Sequence, residues 1–221
     1  MAETTAPPPA GASREIEEAA FYNEAALNAT WTGSRLALGA LSFLFGAFLF
    51  AYFYLRSVNS RGRWHGSGFH PPSILMGTII MFLVVLSAGL QYAGLQRIKA
   101  GDKRMWQIGA VVALVLALAA VALQIIELMF LPFWPGSSGF SSVFVGFNPV
   151  FVVTVLVAMV WLEILLARSR SIPAISFVEQ PPTYAEVAGL QRFQASLSAF
   201  TTVWNYLAAV AVLFWVLFYV I

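Results

Sequence analysis

Cysteine is absent from this 221-residue sequence, charged residues make up only 10% of it, and it holds just two histidines. Without cysteine there is no disulfide, no thiolate nucleophile and no cysteine-ligated metal or iron–sulfur centre. His65 and His70 lie in one short stretch beside Gly66, Gly68 and the Pro71-Pro72 pair. A metal site needs three or four ligands and a membrane haem needs an axial one, so neither is expected in this chain, and both histidines are expected to be solvated. The 12 basic and 10 acidic residues leave a formal charge of +2, which is no footprint for nucleic acid.

What fills the sequence instead is apolar surface, 60% of all residues, against about 45–50% in soluble domains. A water-soluble fold of this length has no way to bury so much. Five stretches, about 36–56, 74–95, 108–131, 143–167 and 199–221, are each near the ~20 residues that a ~30 Å hydrocarbon core demands. Backbone polar groups in lipid must pair internally, which makes all five helices. The expected fold is therefore all-α, a polytopic bundle of five transmembrane helices occupying residues 34–221.

Ahead of the bundle, residues 1–13 are small, polar and proline-rich, and read as a disordered tail. The acidic run Arg14-Glu15-Ile16-Glu17-Glu18 stands where a signal peptide would carry its basic region, so none is expected. Residues 14–33 favour helix, with Ser13 as the cap and acids in the first turn, and are expected to form a separate amphipathic segment at the membrane surface.

Lysine and arginine near the span ends set the orientation. Arg14, Arg35, Arg97, Lys99, Lys103, Arg104, Arg168, Arg170 and Arg192 fall on one side, and Arg56, Arg61 and Arg63 on the other. Nine against three places the amino terminus in the cytoplasm. Aromatic and basic side chains at the span ends, among them Tyr52, Arg56, Trp64 and Trp106, are the expected anchors in the lipid headgroups.

Few ionisable residues fall inside spans. Glu163 stands near the inner end of the fourth helix, close enough in sequence to reach the headgroups or Arg168. Glu127, near the outer end of the third, shares a helix face with Gln124. A polar pair on one face of an apolar helix points at another helix, where it forms an interhelical hydrogen bond or, on the alternative reading, a proton-relay carboxylate. Small residues, Gly39, Gly46 and Ala47 in the first helix, Gly77 and Ala88 in the second and the alanines of the third, mark expected close-packing faces.

The order of these motifs resembles subunit III of the haem–copper respiratory oxidases in its five-helix bacterial form. The segment GALSFLFGAFLFAYFYLRS is similar to the family's helix with an AYFYLR exit, and Trp64 follows in the loop; Gln124-Ile125-Ile126-Glu127 is similar to its Q-x-x-E; SSGFSSVFVGFNPVFVV and WNYLAAVAVLFWVLFYVI resemble its last two helices. The sequence departs from the family where a buried glutamate gives way to Leu41, where two histidines give way to Asn148 and Phe151, and where W-H-F-V-D gives way to Trp204, Asn205, Tyr206, Leu207 and Ala208. The resemblance implies a subunit with no catalytic centre or cofactor of its own. Haem and copper would sit in its partners, the catalytic subunit I and a copper-bearing or equivalent subunit II, within a complex of the bacterial plasma membrane. It implies scaffold and phospholipid-binding roles more than a proton role, with Gln124, Glu127, Glu163, Arg168, Trp204, Asn205 and Tyr206 as candidates for helix packing or subunit contact. An accessory subunit of a nitric oxide reductase or a small membrane transporter are the alternatives the sequence leaves open.

Overall fold

A computed structural model describes residues 10–59, 63–66, 69–173 and 184–221. Five helices carry these residues: α1 Ala10–Val58, α2 Ile74–Lys99, α3 Lys103–Met129, α4 Gly139–Ser171 and α5 Tyr184–Trp215, the last continued by a π-helical turn Val216–Val220. All five are long and apolar enough to cross a membrane. The fold is an all-α five-helix bundle.

Local chemistry sets most of the boundaries. Ser73 caps α2 by accepting from the Met76 amide, and Asp102 caps α3 by accepting from that of Met105. The turn between them is only Ala100, Gly101 and Asp102, and Gly101 takes φ +87°, a conformation that glycine adopts without the Cβ penalty. At α4, Ser138 and Ser141 exchange side-chain and backbone bonds in a capping box. Pro149 stands inside α4, where Asn148 donates back to the Phe144 carbonyl at 2.9 Å.

The longest helix corrects one expectation. Residues 14–33 form no separate amphipathic segment: α1 runs unbroken for 49 residues, about 73 Å at 1.5 Å per residue, so it projects well beyond a ~30 Å hydrocarbon core. Ser13 lies inside this helix and is not its cap. Residues 10–13 of the expected tail belong to α1, while residues 1–9 lie outside the described residues. No proline interrupts 10–58, and isolated glycines cost a helix only about 1 kcal/mol each, too little to break it. In the same way α5 starts at Tyr184, well before the expected 199, and its first turns pack beside the start of α1. There the buried Asn23 amide donates to Gln191 at 2.9 Å and accepts from Arg192 Nε at 2.8 Å.

Packing follows the side-chain spacing. Buried Ala110, Ala113, Ala117 and Ala120 on α3 meet Ile80, Val84, Ser87, Gln91, Gly94 and Ile98 on α2, alternating steps of three and four that hold one seam together. The small α3 side chains let these two backbones approach closely. α1 packs on α5 and α4 through a thin stripe, Phe45 and Tyr52 being its buried apolar residues. Its Gly39 and Gly46 are a second correction: a Cβ built on either meets nothing within 4 Å, so this small-residue face is turned away from the bundle. Gly77 and Ala88, by contrast, are buried.

Candidate functional site

Two polar nodes sit at one end of the bundle, the end expected to face outward. In the first, Gln124 Nε2 donates to Glu127 Oε2 at 2.9 Å along α3, and Tyr219 Oη of the π-helical turn donates to Glu127 Oε1 at 2.7 Å. Glu127 and Gln124 are 7% and 6% exposed. Tyr219 reaches the carboxylate only because residue 77 of α2 is glycine; a Cβ there would stand 2.2 Å from the Tyr219 ring. A void of about 30 Å³, space for a water, borders Gln124, Asn148 and Tyr219 on the inner side of this node. On its outer side Glu127 lines a larger cavity of about 360 Å³ between the Pro71-Pro72-Ser73 approach to α2 and the end of α3.

The second node joins α1 to the chain's last turn. Tyr52 Oη donates to the Leu217 carbonyl at 2.7 Å and accepts from Arg56 Nη1 at 3.2 Å. The Trp64 ring meets Tyr52 edge-on at 5.1 Å and Phe140 at 5.9 Å, and Phe140 leads through Phe144 to Phe218 and Tyr219. The two nodes are thus one continuous aromatic and hydrogen-bonded cap.

Burial overturns three of the four expected headgroup anchors, two of them in this cap and Trp106 at the other end of α3, against Gly94 and Phe193. Tyr52 is 1% exposed, Trp64 8% and Trp106 0%, so all three are core residues. Only Arg56 keeps a partly exposed head. Tyrosine and tryptophan at span ends serve lipid or core equally well, and sequence position does not distinguish the two uses. His65 and His70 are both exposed, as expected, and one face of the His65 ring stacks on Phe69 at 4.5 Å and 13° while its edge meets Phe140. Partial burial, and then the charge of Arg56, hold its pKa below the ordinary imidazole value.

The remaining candidates are dispersed. Trp204 Nε1 donates to Ser87 Oγ at 3.2 Å, and Ser87 donates to the Ala113 carbonyl at 2.7 Å, a buried tie of α5, α2 and α3. Tyr206 packs its ring near Phe45, and Asn205 is partly exposed beside it. Glu163 and Arg168 are both exposed and make no ion pair with each other, which leaves the headgroup alternative for Glu163. Five residues along a helix turn them about 140° apart. Gln91, which sequence reading passed over, and the Trp106 indole N–H are buried without a hydrogen-bond partner among the described residues. Only the seam periodicity, which puts Gln91 in line with Ser87 and Ile98, hints at the former.

Among the described residues no three histidine, aspartate or glutamate side chains come together as a metal site. What the arrangement can do is hold helices in register and present one carboxylate to a cavity at this end of the bundle. Compared with known proteins, the chain matches no family model and no curated protein.

Proposed function

We propose that this chain is a non-catalytic accessory subunit, similar to subunit III, of a proton-pumping haem–copper terminal oxidase in aerobic respiratory electron transport. In this reading it lies in a bacterial plasma membrane with its amino terminus in the cytoplasm. It stabilises a catalytic subunit that holds haem and copper, next to a copper-bearing or equivalent subunit, and binds lipid.

One observation supports the reading above others. The segments that carry the resemblance are far apart in sequence, yet Tyr52 and Arg56 of AYFYLR, the loop residue Trp64, Gln124 and Glu127 of Q-x-x-E, and Tyr219 of the closing helix all meet in the cap. Each residue there fills a packing or hydrogen-bonding role, as a scaffold requires.

The test is purification of the tagged chain from its native membrane in mild detergent. Co-purifying haem bands with oxygen-consuming activity are expected, and substituting alanine at both His65 and His70 should leave those bands unchanged. Nitric oxide consumption without oxygen reduction would assign it instead to a nitric oxide reductase. Recovery of a haem-free chain would sink the proposal.

A further inference from the structure

The side of α1 turned away from the bundle is sorted by residue size, with a period of seven. Leu36, Phe43 and Phe50 follow one another at seven-residue steps and are 69%, 84% and 70% exposed. Tyr22, also exposed, continues the series towards the amino terminus two steps before Leu36. Beside it runs a second series at the same step made only of small residues, Ala19, Ala26, Gly33, Ala40 and Ala47. Exposure at such steps follows from the packing of the opposite side of α1 on α4 and α5, but sorting by size does not. A seven-residue repeat is the spacing at which two helices supercoil and seat the knobs of one in the holes of the other. Glycine disfavours a helix relative to alanine, yet Gly39 and Gly46, again seven apart, allow no close approach within this chain, since a Cβ on either meets nothing.

Length and self-complementarity decide what covers this face. Residues 19–50 of α1 extend about 47 Å at 1.5 Å per residue, longer than a ~30 Å hydrocarbon core, so lipid accounts for only part of the repeat. The same face supplies both knobs and holes, as an interface about a two-fold axis requires. In one bilayer a second copy presents its α1 in the same direction. In such a parallel pair the Phe43 ring enters a hole formed by Gly39, Ser42, Phe43 and Gly46 of the facing helix. The Ser42 hydroxyl already donates to the Leu38 carbonyl at 2.7 Å and brings no unpaired donor to the seam. Tyr22, Phe43, Phe50 and Tyr54, which stacks on Phe50, are each more than half exposed. At about 150–250 Å² per ring they supply on the order of 500 Å², and Leu36 with the small residues brings the seam near the ~800 Å² that each partner of a standard interface buries. Glu15 and Glu18 hold the corresponding positions one step earlier, where like charges would meet, so the seam begins after them. We propose that this face of α1 pairs with the same face of a second copy of the chain, the two helices parallel and supercoiled from Ala19 to Phe50. The inference stands on α1 alone and holds whichever complex the chain joins.

Because the chain has no cysteine, single cysteines report the pairing cleanly. Phe43→Cys, Gly46→Cys and Leu44→Cys are each introduced into the full chain and oxidised in the membrane. A disulfide needs Cβ atoms about 3.5–4.5 Å apart. Phe43→Cys and Gly46→Cys should therefore give a linked species of twice the chain mass, several-fold more than Leu44→Cys, which lies about 100° round the helix from Phe43. Adding Gly39→Leu to Phe43→Cys fills the hole and should cut the yield several-fold. A single methyl, as at Ala40 and Ala47, is accommodated there, whereas a leucine is not. A Cβ at residue 39 meets nothing within 4 Å, so this variant keeps its fold, which a thermal melt checks. Should it not fold, the yields at the three single cysteines decide alone. Equal yields at all three positions, no linked species, or a yield unmoved by Gly39→Leu in folded protein overturns the proposal. So does a product whose mass is this chain plus a different protein, which would give the face to a partner's helix.

Discussion

The Tyr52 hydroxyl donates to the Leu217 carbonyl at 2.7 Å across 165 positions of sequence, and it does so where the chain's last helix relaxes into a π turn. A π turn alters the regular i to i−4 ladder, and the side chain of another helix meets a carbonyl in it. Tyr52→Phe keeps the ring and removes the donor, leaving a buried carbonyl short of one partner, at a cost of about 1–3 kcal/mol. Trp64→Ala removes the ring that covers Tyr52 and should cost more, about 3–5 kcal/mol. Thermal melts of the two variants in one detergent should give that order; the reverse order would mean that Trp64 is an interfacial anchor after all.

Gly77 and Gly46 should respond in opposite directions to the same substitution. Gly77→Ala drives a methyl into the Tyr219 ring, 2.2 Å away, and pushes the phenol off Glu127; overpacking of this kind costs about 1–3 kcal/mol. Gly46→Ala meets nothing within 4 Å and should stabilise the isolated chain by about 0.5–1 kcal/mol through helix propensity. The check is a pair of melts on the chain alone. A fall in melting temperature with Gly46→Ala would show that this face is packed in the folded chain.

Asn23 fastens the projecting start of α1 to α5 through Gln191 and Arg192. Asn23→Leu breaks both bonds in a buried position and should free the first turns of α1. Limited proteolysis of the chain in detergent should then cut upstream of Ser34 several-fold faster, while the rest of the bundle stays resistant. An unchanged cleavage rate would show that the tie holds nothing.

Gln91 is buried with neither amide atom hydrogen-bonded among the described residues. A polar group in that state costs about 1–3 kcal/mol, so Gln91→Leu, close in volume, should raise the melting temperature of the isolated chain. A fall instead would show that Gln91 has a hydrogen-bonding partner in the folded chain.

His65 should titrate below the ordinary imidazole range, because partial burial and the Arg56 charge both disfavour its protonated form. The sign follows from linkage: the unfolded chain binds the proton more readily, so this contribution to stability is complete above the unfolded pKa near 6.5 and declines as pH falls toward the folded value. Following the ring protons by NMR gives the titration directly. His65→Ala should flatten the corresponding slope in melting temperature between about pH 7 and 5. A midpoint at or above the usual value would contradict the stacked geometry.

Some of this was legible in one dimension because lipid imposes a one-dimensional rule. Apolar runs of fixed length must be helices in a bilayer, so composition and hydropathy located five helices, and the three-residue spacing of Gln124 and Glu127 placed both on one face. Their common partner was not legible, since Tyr219 lies 92 positions beyond Glu127 and reaches it only past Gly77. Helix ends were misjudged for a related reason. Hydropathy marks where lipid begins, but capping and the absence of breakers mark where a helix begins, and in α1 and α5 these are many residues apart.

The sequence by itself determined the bilayer as solvent, the number of helices, and the lack of cysteine and histidine sets for resident chemistry, because each depends on composition and local pattern alone. Only the tertiary structure decided which aromatic residues face the core. Tyr52, Trp64 and Trp106 carry the same amphipathic chemistry as an interfacial anchor, and their burial depends on the rings and backbones that distant segments bring against them. The same holds for the glycines of α1, whose open face is set by where α4 and α5 pack and not by anything written beside them in the chain.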